Sequence, residues 1–519
     1  MLLYNSSAIR EMDRFSIEKV GIPSLRLMEN AATAIAKTLE DEIPERLKGR
    51  VVIFSGKGNN GGDGMAVARL LKKSGFSPEV VLLAPPEALS EDANAQFVRL
   101  GEAGVKWMGG NPGAGLEAAN GLEASDTVID AILGTGLKSP LRGDLLKVVE
   151  AINASAAFVA SVDVPSGLSG DFPVPIGPAL RADFTLTLAV GKPCLFTPEG
   201  EPFAGMVRVL DIGIPPEVSE DKTPVCEAVD EAWATPFFTE RGRTCHKGEA
   251  GRLLLVAGSV GKSGAAVLAA RGALRAGAGL VTIACPEGAQ PVIAASLPET
   301  MTLPMPQTAE GTLSMDSMAP ILDFAMEVSA VGMGPGLGAF AETAALCREL
   351  YRSIELPAVV DADALNAFDG RTEELTDHPL PRVLTPHPGE MGRLVMKTPA
   401  EVSRERYVLV PEAASRWKAT LLLKGYRTIV ASPGQPWRMA MSGGPHMAGP
   451  GFGDVLTGVI SALLARGVPA FDAAALGAWW HGAAADLGAK TLGGYGLLAS
   501  EAADSLPRIE GRLRRHLQP

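Results

Sequence analysis

Apolar residues in this chain fall in short unbroken runs, each followed by a stretch with helical spacing. In the first half the runs are VVIF, EVVLLA, TVIDAIL, FVASVDV, FTLTLAV and VRVLDI. In the second half they are RLLLVAG, LVTIACP, AVVDADAL, PRVLTPHPGE, ATLLLKG and RTIVASP. Strand-length apolar runs alternating with amphipathic segments predict parallel sheets covered by helices on both faces. Between the halves, after Asp211, lies a segment rich in Pro, Glu and Thr without strong periodicity. The boundary is placed within it, giving domains 1–221 and 222–519. The halves share an architecture but no visible sequence repeat. The predicted fold class is α/β with two doubly wound domains.

Composition narrows the picture. A chain of 519 residues exceeds one ordinary core, and 46% hydrophobic with 20% charged residues is usual for a folded globular protein. The net charge of −12 argues against a nucleic-acid partner, which needs a basic face. The five cysteines are far apart, with no C-x-x-C and no zinc spacing, so free thiols in a reducing cytoplasm are expected. The N-terminal twenty residues lack a basic-then-apolar leader, and no apolar run approaches membrane-spanning length.

Candidate chemistry sits in the glycine turns. VVIFSGKGNNGGDG reads as G-x-G-x-x-G between a strand and a helix, with Glu79 downstream, which is the outline of a dinucleotide fingerprint. The loop is unusually polar, however: Asn59, Asn60, Gly61, Gly62 and Asp63 bring carbonyl acceptors as well as donors. Acceptors hinder a pyrophosphate loop but serve beside a cation. Asp130 ends one strand before the turn Gly134-Thr135-Gly136, and Asp163 ends another before Pro165-Ser166-Gly167. In a doubly wound sheet such strand ends converge on one crevice.

In the second half Gly261-Lys262-Ser263 resembles a Walker A loop, but Val256 stands where that loop needs its first glycine. The segment reads instead as a strand, a small-residue turn and an alanine-rich helix. VGMGPGLG offers a further backbone cradle, and His387 lies between prolines after a strand. In GPGFGDVLTG, Gly451 and Gly453 precede Asp454 at the start of an apolar helix. That combines an anion hole for a transferring phosphoryl group with a base for the attacking hydroxyl.

The pieces LMENAA, GKGNNGGDG, IDAILGTG and DVPSG resemble the YjeF N-terminal family of NAD(P)H-hydrate epimerases. The pieces GPGLG, VVDADALNAF, LTPHPGEM, LLLKGYRT, GDVLTG and YGLLAS resemble the YjeF C-terminal family of ADP- or ATP-dependent NAD(P)H-hydrate dehydratases. The resemblance implies a Rossmann-like epimerase domain followed by a ribokinase-like dehydratase domain. It implies K+ held by Asn60, Asp130 and Ser166, with Asp163 catalytic. Substrate contacts would come from Asn59 to Asp63, from Gly134, Thr135, Gly136, Leu137, Lys138, Ser139 and Pro140, and from Asp163. In the second domain it implies contacts of Ala265, Gly336, His387 and Asp454 with the hydrated cofactor. Lys424, Gly425, Tyr426, Arg427, Thr428 and Gly453 would contact ADP or ATP with Mg2+. Asp454 would be catalytic, Lys192 an accessory charge, and the assembly a homo-oligomer of four or more chains. One departure stands out: the family reads N-P-G-M-A-T-G-G-T-G-D where this chain has Gly444 to Asp454, with Pro450 and Phe452 replacing a donor and a hydroxyl. Two rival readings are a ribokinase-like kinase of small hydroxyl compounds and a non-catalytic N-terminal binding module.

Overall fold

The structure, a computed structural model, describes residues 1–220 and 222–517. Asp221, at the boundary expected from the sequence, and residues 518–519 lie outside the described residues. The chain forms two compact units, Leu2–Cys226 and Glu227–Pro519.

The first unit is built on strands β1 (Val51–Ser55), β2 (Pro78–Leu82), β3 (Lys106–Gly109), β4 (Thr127–Ala131), β5 (Phe158–Val162), β6 (Phe184–Leu188) and β7 (Met206–Leu210). They pair in the order β3-β2-β1-β4-β5-β6-β7, parallel throughout. The period-two geometry of a strand explains why the apolar runs are unbroken. Val51 and Ile53 enter one core with the helices Ser24–Glu42, Asn59–Lys73 and Glu91–Glu102. Val52 and Phe54 enter a second core with the helices Pro112–Asn120 and Gly143–Ala154. Both faces are thus covered, and each fully buried aliphatic side chain contributes about 1.5–3 kcal/mol. The edge strand β3 is exposed along its length, so no hydrophobic alternation announced it.

The second unit carries β8 (Cys226–Val229), β9 (Arg252–Val256), β10 (Leu280–Pro286), β11 (Met301–Met305), β12 (Ala330–Met333), β13 (Ala358–Val360), β14 (Arg382–Leu384), β15 (Thr420–Leu423), β16 (Ile429–Ala431) and β17 (Trp437–Ala440). The order β11-β10-β9-β12-β13-β14-β15 is parallel. The sheet then continues through antiparallel β16 and β17. This mixed edge departs from the all-parallel sheet that the alternation predicts. A short connection after Leu423 forces the chain to return antiparallel, since a parallel return needs a long crossover. The helices Ser263–Arg275, Phe452–Ala465, Ala470–Leu492 and Ala499–Leu517 cover one face. Small residues allow the first two to approach closely: a Cβ on Gly458 would meet Ala269 O at 1.8 Å. The two-domain α/β class expected from the sequence is borne out. No helix among the described residues is long and apolar enough to cross a membrane, and none of the five cysteines forms a disulfide among the described residues.

Candidate active sites

In the first unit the order reverses between β1 and β4, and the loops after these strands meet there, as the crevice rule requires. The approach is close enough to demand glycine: a Cβ on Gly56 would lie 1.9 Å from Ile132 O. Beyond Gly58 the helix Asn59–Lys73 begins, so the unpaired N–H groups of its first turn open onto the crevice. A cavity of about 400 Å³ is lined there by Asn59, Asn60, Asp63, Gly134, Thr135, Gly136, Asp163 and Lys192, among others. Gly61 and Gly62 are buried in the same helix turn, while Leu137, Lys138, Ser139 and Pro140 lie outside that lining, the last three exposed. Of the expected substrate residues, the structure thus gathers the turn from Asn59 to Asp63, Gly134 to Gly136 and Asp163, and leaves Leu137 to Pro140 outside.

Asp163 ends β5 in a left-handed backbone conformation (φ 67°) that is uncommon outside glycine. Its N–H donates to Leu186 O at 2.8 Å. Lys192 Nζ donates to Asp163 Oδ1 at 2.6 Å and to Leu188 O at 2.7 Å. Lys192 is 1% exposed, so surface solvation does not explain it. A buried ammonium persists only when paired, and its partner is the candidate catalytic carboxylate.

Asp130 is fully buried behind the crevice. Its Oδ1 accepts from Ser166 Oγ (2.6 Å) and Ile132 N (3.2 Å), and its Oδ2 from Ser161 Oγ and Ser166 N, both 2.9 Å. Burial raises its pKa although these four donors oppose the shift. It has no basic partner among the described residues. Asn60 stands beside Gly134 with a buried Nδ2 that has no hydrogen-bond partner. A buried uncompensated carboxylate, a hydroxyl and an orphaned amide, which can turn its oxygen inward, suit a hard monovalent cation. The LMENAA stretch has a framework role: Glu29 is bound by Arg69, Gln96 and Arg99, and Asn30 Nδ2 donates to Ile212 O at 2.9 Å.

In the second unit the strand ends again build the site. β13 runs into Asp361, β14 into His387 and β15 into Lys424. Gly334, at φ 128°, passes so close to Asp361 that a Cβ would sit 1.8 Å from its carbonyl oxygen. Lys424 Nζ donates to Asp361 Oδ1 at 2.7 Å and lies 3.6 Å from Glu390 Oε2. Thr457 Oγ1 donates to Asp361 Oδ2 at 2.7 Å. Burial lowers the Lys424 pKa, but Asp361 and Glu390 outweigh it and hold the ammonium above its usual range. Asp361 stood in a quoted motif but was not among the expected site residues. An acidic residue at a buried strand end, opposite the lysine of LLLKG, was the available signal.

Gly451 (φ 87°) caps the helix Phe452–Ala465, which places Asp454 in its first turn. Burial, then Asp361, push the Asp454 pKa up to about 7, with Lys424 opposing. Asp363 also raises it, and Asp363 Oδ2 in turn accepts from Gly338 N at 2.8 Å and lies 3.5 Å from Lys262 Nζ. On that side Gly336 and Ala265 adjoin: a Cβ on Gly336 would be 2.9 Å from Ala265 Cβ. A second cavity, about 900 Å³, is lined by His387, Lys424, Gly425, Tyr426, Thr428, Phe452 and Gly453, among others. Arg427 turns away from it and donates to Met441 O at 2.9 Å. Ala265, Gly336 and Asp454 also lie outside the lining of this cavity, on its acidic flank. His387 caps the helix Pro388–Val395, its Nδ1 accepting from Gly389 N and Glu390 N. This gives it a structural role as well as a place on the cavity wall. Phe452 packs against the buried His481, ring centroids 5.8 Å apart.

Residues 24–194 match a family model described as YjeF-related protein N-terminus, and residues 253–508 one described as NAD(P)H-hydrate dehydratase. The bifunctional NAD(P)H-hydrate repair enzyme Nnr of Moorella thermoacetica is 39% identical over 100% of this chain and 98% of its own length. The protein of the same name from Thermofilum pendens is 36% identical over 99% and 97%. A solved ADP/ATP-dependent NAD(P)H-hydrate dehydratase from Bacillus subtilis, co-crystallized with ATP and Mg2+, is 31% identical. It covers 56% of this chain and 99% of its own, with a TM-score of 0.49. With both halves matched, and relatives that extend over its whole length, this chain belongs to the family of bifunctional NAD(P)H-hydrate repair enzymes.

Proposed function

We propose that the two units act in turn on one damaged cofactor, NADH or NADPH that has gained water at C6 of the reduced ring. The second unit dehydrates the S form at the expense of ADP or ATP. Hydroxide is a poor leaving group and phosphate a good one, so transfer of a phosphoryl group to the C6 hydroxyl prepares its departure. Asp454 takes the hydroxyl proton, and the ring nitrogen lone pair then expels phosphate and restores the reduced nicotinamide. The observation that carries this reading is Asp454 itself, half-buried in the first helical turn behind Gly451 to Gly453, with its pKa pushed up to about 7 by desolvation and Asp361. Gly451 to Gly453 present first-turn N–H groups to the moving phosphoryl, and Lys424 supplies positive charge beside it. Pro450 contributes no donor.

No group of three metal-ligating side chains occurs among the described residues. Mg2+ would arrive on the nucleotide phosphates, with Glu390, 3.6 Å from Lys424 Nζ, as a nearby protein carboxylate. Bound there, the ion would screen phosphate charge. The Lys424–Thr428 segment and Gly453 would hold the nucleotide, while His387, Ala265 and Gly336 would hold the hydrated cofactor.

The first unit epimerises C6, so that both forms reach the dehydratase. Asp163 exchanges protons with departing and returning water, and Lys192 holds that carboxylate in place. Asn60, Asp130 and Ser166 would hold K+, which would neutralise the buried Asp130 and fix the two loops around the crevice. Domain limits of 1–221 and 222–519, and assembly into a homo-oligomer, belong to the same reading. The test is incubation of the full chain with mixed epimers and ADP or ATP. Complete recovery of the 340-nm absorbance with release of inorganic phosphate is expected, and replacing K+ by Li+ should slow only the R-form phase. Accumulation of a phosphorylated cofactor would contradict the dehydratase reading.

A further inference from the structure

Lys192 and Asp163 occupy one side of the first cavity, and further carboxyl groups face the same space. Asp13, on the helix Ser6–Phe15, and Asp63, on the helix Asn59–Lys73, both line it. Neither side chain makes a hydrogen bond or ion pair among the described residues. Asp63 is 8% exposed, so an unpartnered polar group nine-tenths buried borders the cavity. The charged groups that face Asp13 there are Asp163, Lys192, Asp63, Asp92, Lys57 and, on its own helix, Arg10.

Epimerisation by loss and return of water poses a geometric demand. The oxygen leaves from one face of the ring and re-enters from the other, and a single carboxyl group on one element serves one face well. We propose that Asp13 is the second acid–base group of this centre, working with Asp163 from a separate element of the fold. This rests on the epimerase reading of the first unit. In the forward direction the C6–O bond breaks, its electron pair leaves with oxygen, and Asp13 supplies the proton that makes the leaving group water. The ring nitrogen lone pair forms the N1–C6 double bond of a cationic iminium. A water on the other face then adds to C6, its electron pair forming the new C–O bond while Asp163 takes its proton. The iminium electrons return to nitrogen. The proton has moved from Asp13 to Asp163, and exchange with solvent restores the starting state. The opposite epimer reacts by the same steps with the carboxyls exchanged.

The electrostatics agree with this division. Burial, then the neighbouring Asp163 charge, push Asp13 up to about 6, with Lys192 opposing. The other carboxylate has the ammonium beside it. The N-terminal helix gave no sign of this in the sequence, because an Asp on an amphipathic helix reads as part of its solvated face.

The test uses the full chain without nucleotide, following conversion of pure R hydrate to S hydrate. Asp13→Asn should lower the epimerisation rate by about 10²-fold or more, with dehydration of supplied S hydrate as the internal control. Asp13→Glu should keep measurable activity and move the alkaline limb of the pH–rate profile. In the wild type that limb should fall as Asp13 loses its proton, near pH 6. If the wild-type chain does not epimerise at all, the reading of the first unit fails. If it does, and Asp13→Asn stays within about twofold between roughly pH 5 and pH 8, the proposal is overturned. Should Asp13→Asn fail to fold by circular dichroism, the Asp13→Glu profile decides: an unmoved alkaline limb overturns the proposal.

Discussion

The two carboxylates proposed to be catalytic, Asp163 and Asp454, stand in opposite settings. Asp163 is fixed by a left-handed backbone and a buried ammonium 2.6 Å away. Asp454 has no such partner of its own: the nearest lysine is committed to Asp361 at 2.7 Å, and burial leaves Asp454 near neutrality in proton affinity. The difference follows the chemistry. In the proposed epimerisation Asp163 takes a proton from entering water in one direction and supplies it to the leaving oxygen in the other, so its position matters most. In the second unit Asp454 takes one proton from a hydroxyl while a phosphoryl group arrives, so a carboxylate with raised affinity suits a single transfer. In the proposed reaction the phosphate charge would be met instead by Lys424 and the helix start.

The sharpest way to break this contrast is Asp454→Asn, which should lower dehydration by about 10²–10⁴-fold and leave R-to-S conversion intact. The same residue sets two pH dependences. Dehydration should rise as pH climbs through about 7, because the base form then appears. Stability should move the other way. The folded-state pKa lies above the unfolded value of 3.8, so the folded state binds more protons between those values. Its contribution is present at low pH and is lost as pH rises towards 7. Asp454→Asn should flatten that slope in thermal melts of the second unit.

Next in size is Lys192→Met. It leaves Asp163 without its cation in a site where the ammonium was 1% exposed. Breaking such a pair costs about 3–5 kcal/mol, to be read in denaturant unfolding of the first unit. Epimerisation should fall with it, while dehydration of S hydrate is retained. The smallest effect is expected from Phe452→Thr, which restores the family's usual residue. The ring walls the second cavity beside His481, whose burial pushes its pKa down to about 4 and keeps it neutral. Loss of an aromatic contact worth about 1 kcal/mol should raise the nucleotide KM a few-fold, with kcat little changed.

The architecture was legible because most apolar runs are central strands buried on both faces; the edge run VRVLDI is largely exposed and stood out by its aliphatic residues alone. Val51 to Phe54 feed two cores alternately, and such runs stand out in any sequence. Most elements missed lacked this signal, although β12 is buried along its length and was read only as part of the cradle VGMGPGLG. Strand β3 is exposed, β11 is an edge strand containing Pro304, and β17 belongs to the antiparallel return. The sites were legible where glycines and acids cluster in sequence, as at Asn59 to Gly64 and Gly449 to Asp454. What was not legible was the pairing of residues from distant elements, although Lys192 itself was expected as an accessory charge. Lys192 is brought to Asp163 by the turn after β6, and Asp361 to Lys424 across two strands. Asp13 reaches its cavity from a helix whose sequence looks merely amphipathic.

The most direct test of the account is a progress curve for Asp163→Asn on mixed epimers with saturating ADP or ATP, early enough that spontaneous epimerisation is slow. The account predicts that 340-nm absorbance rises at the wild-type rate and stops once the S form is spent. It resumes when wild-type protein is added. Uninterrupted recovery from both epimers at the wild-type rate would contradict the claim that one carboxylate in each unit acts on the same carbon.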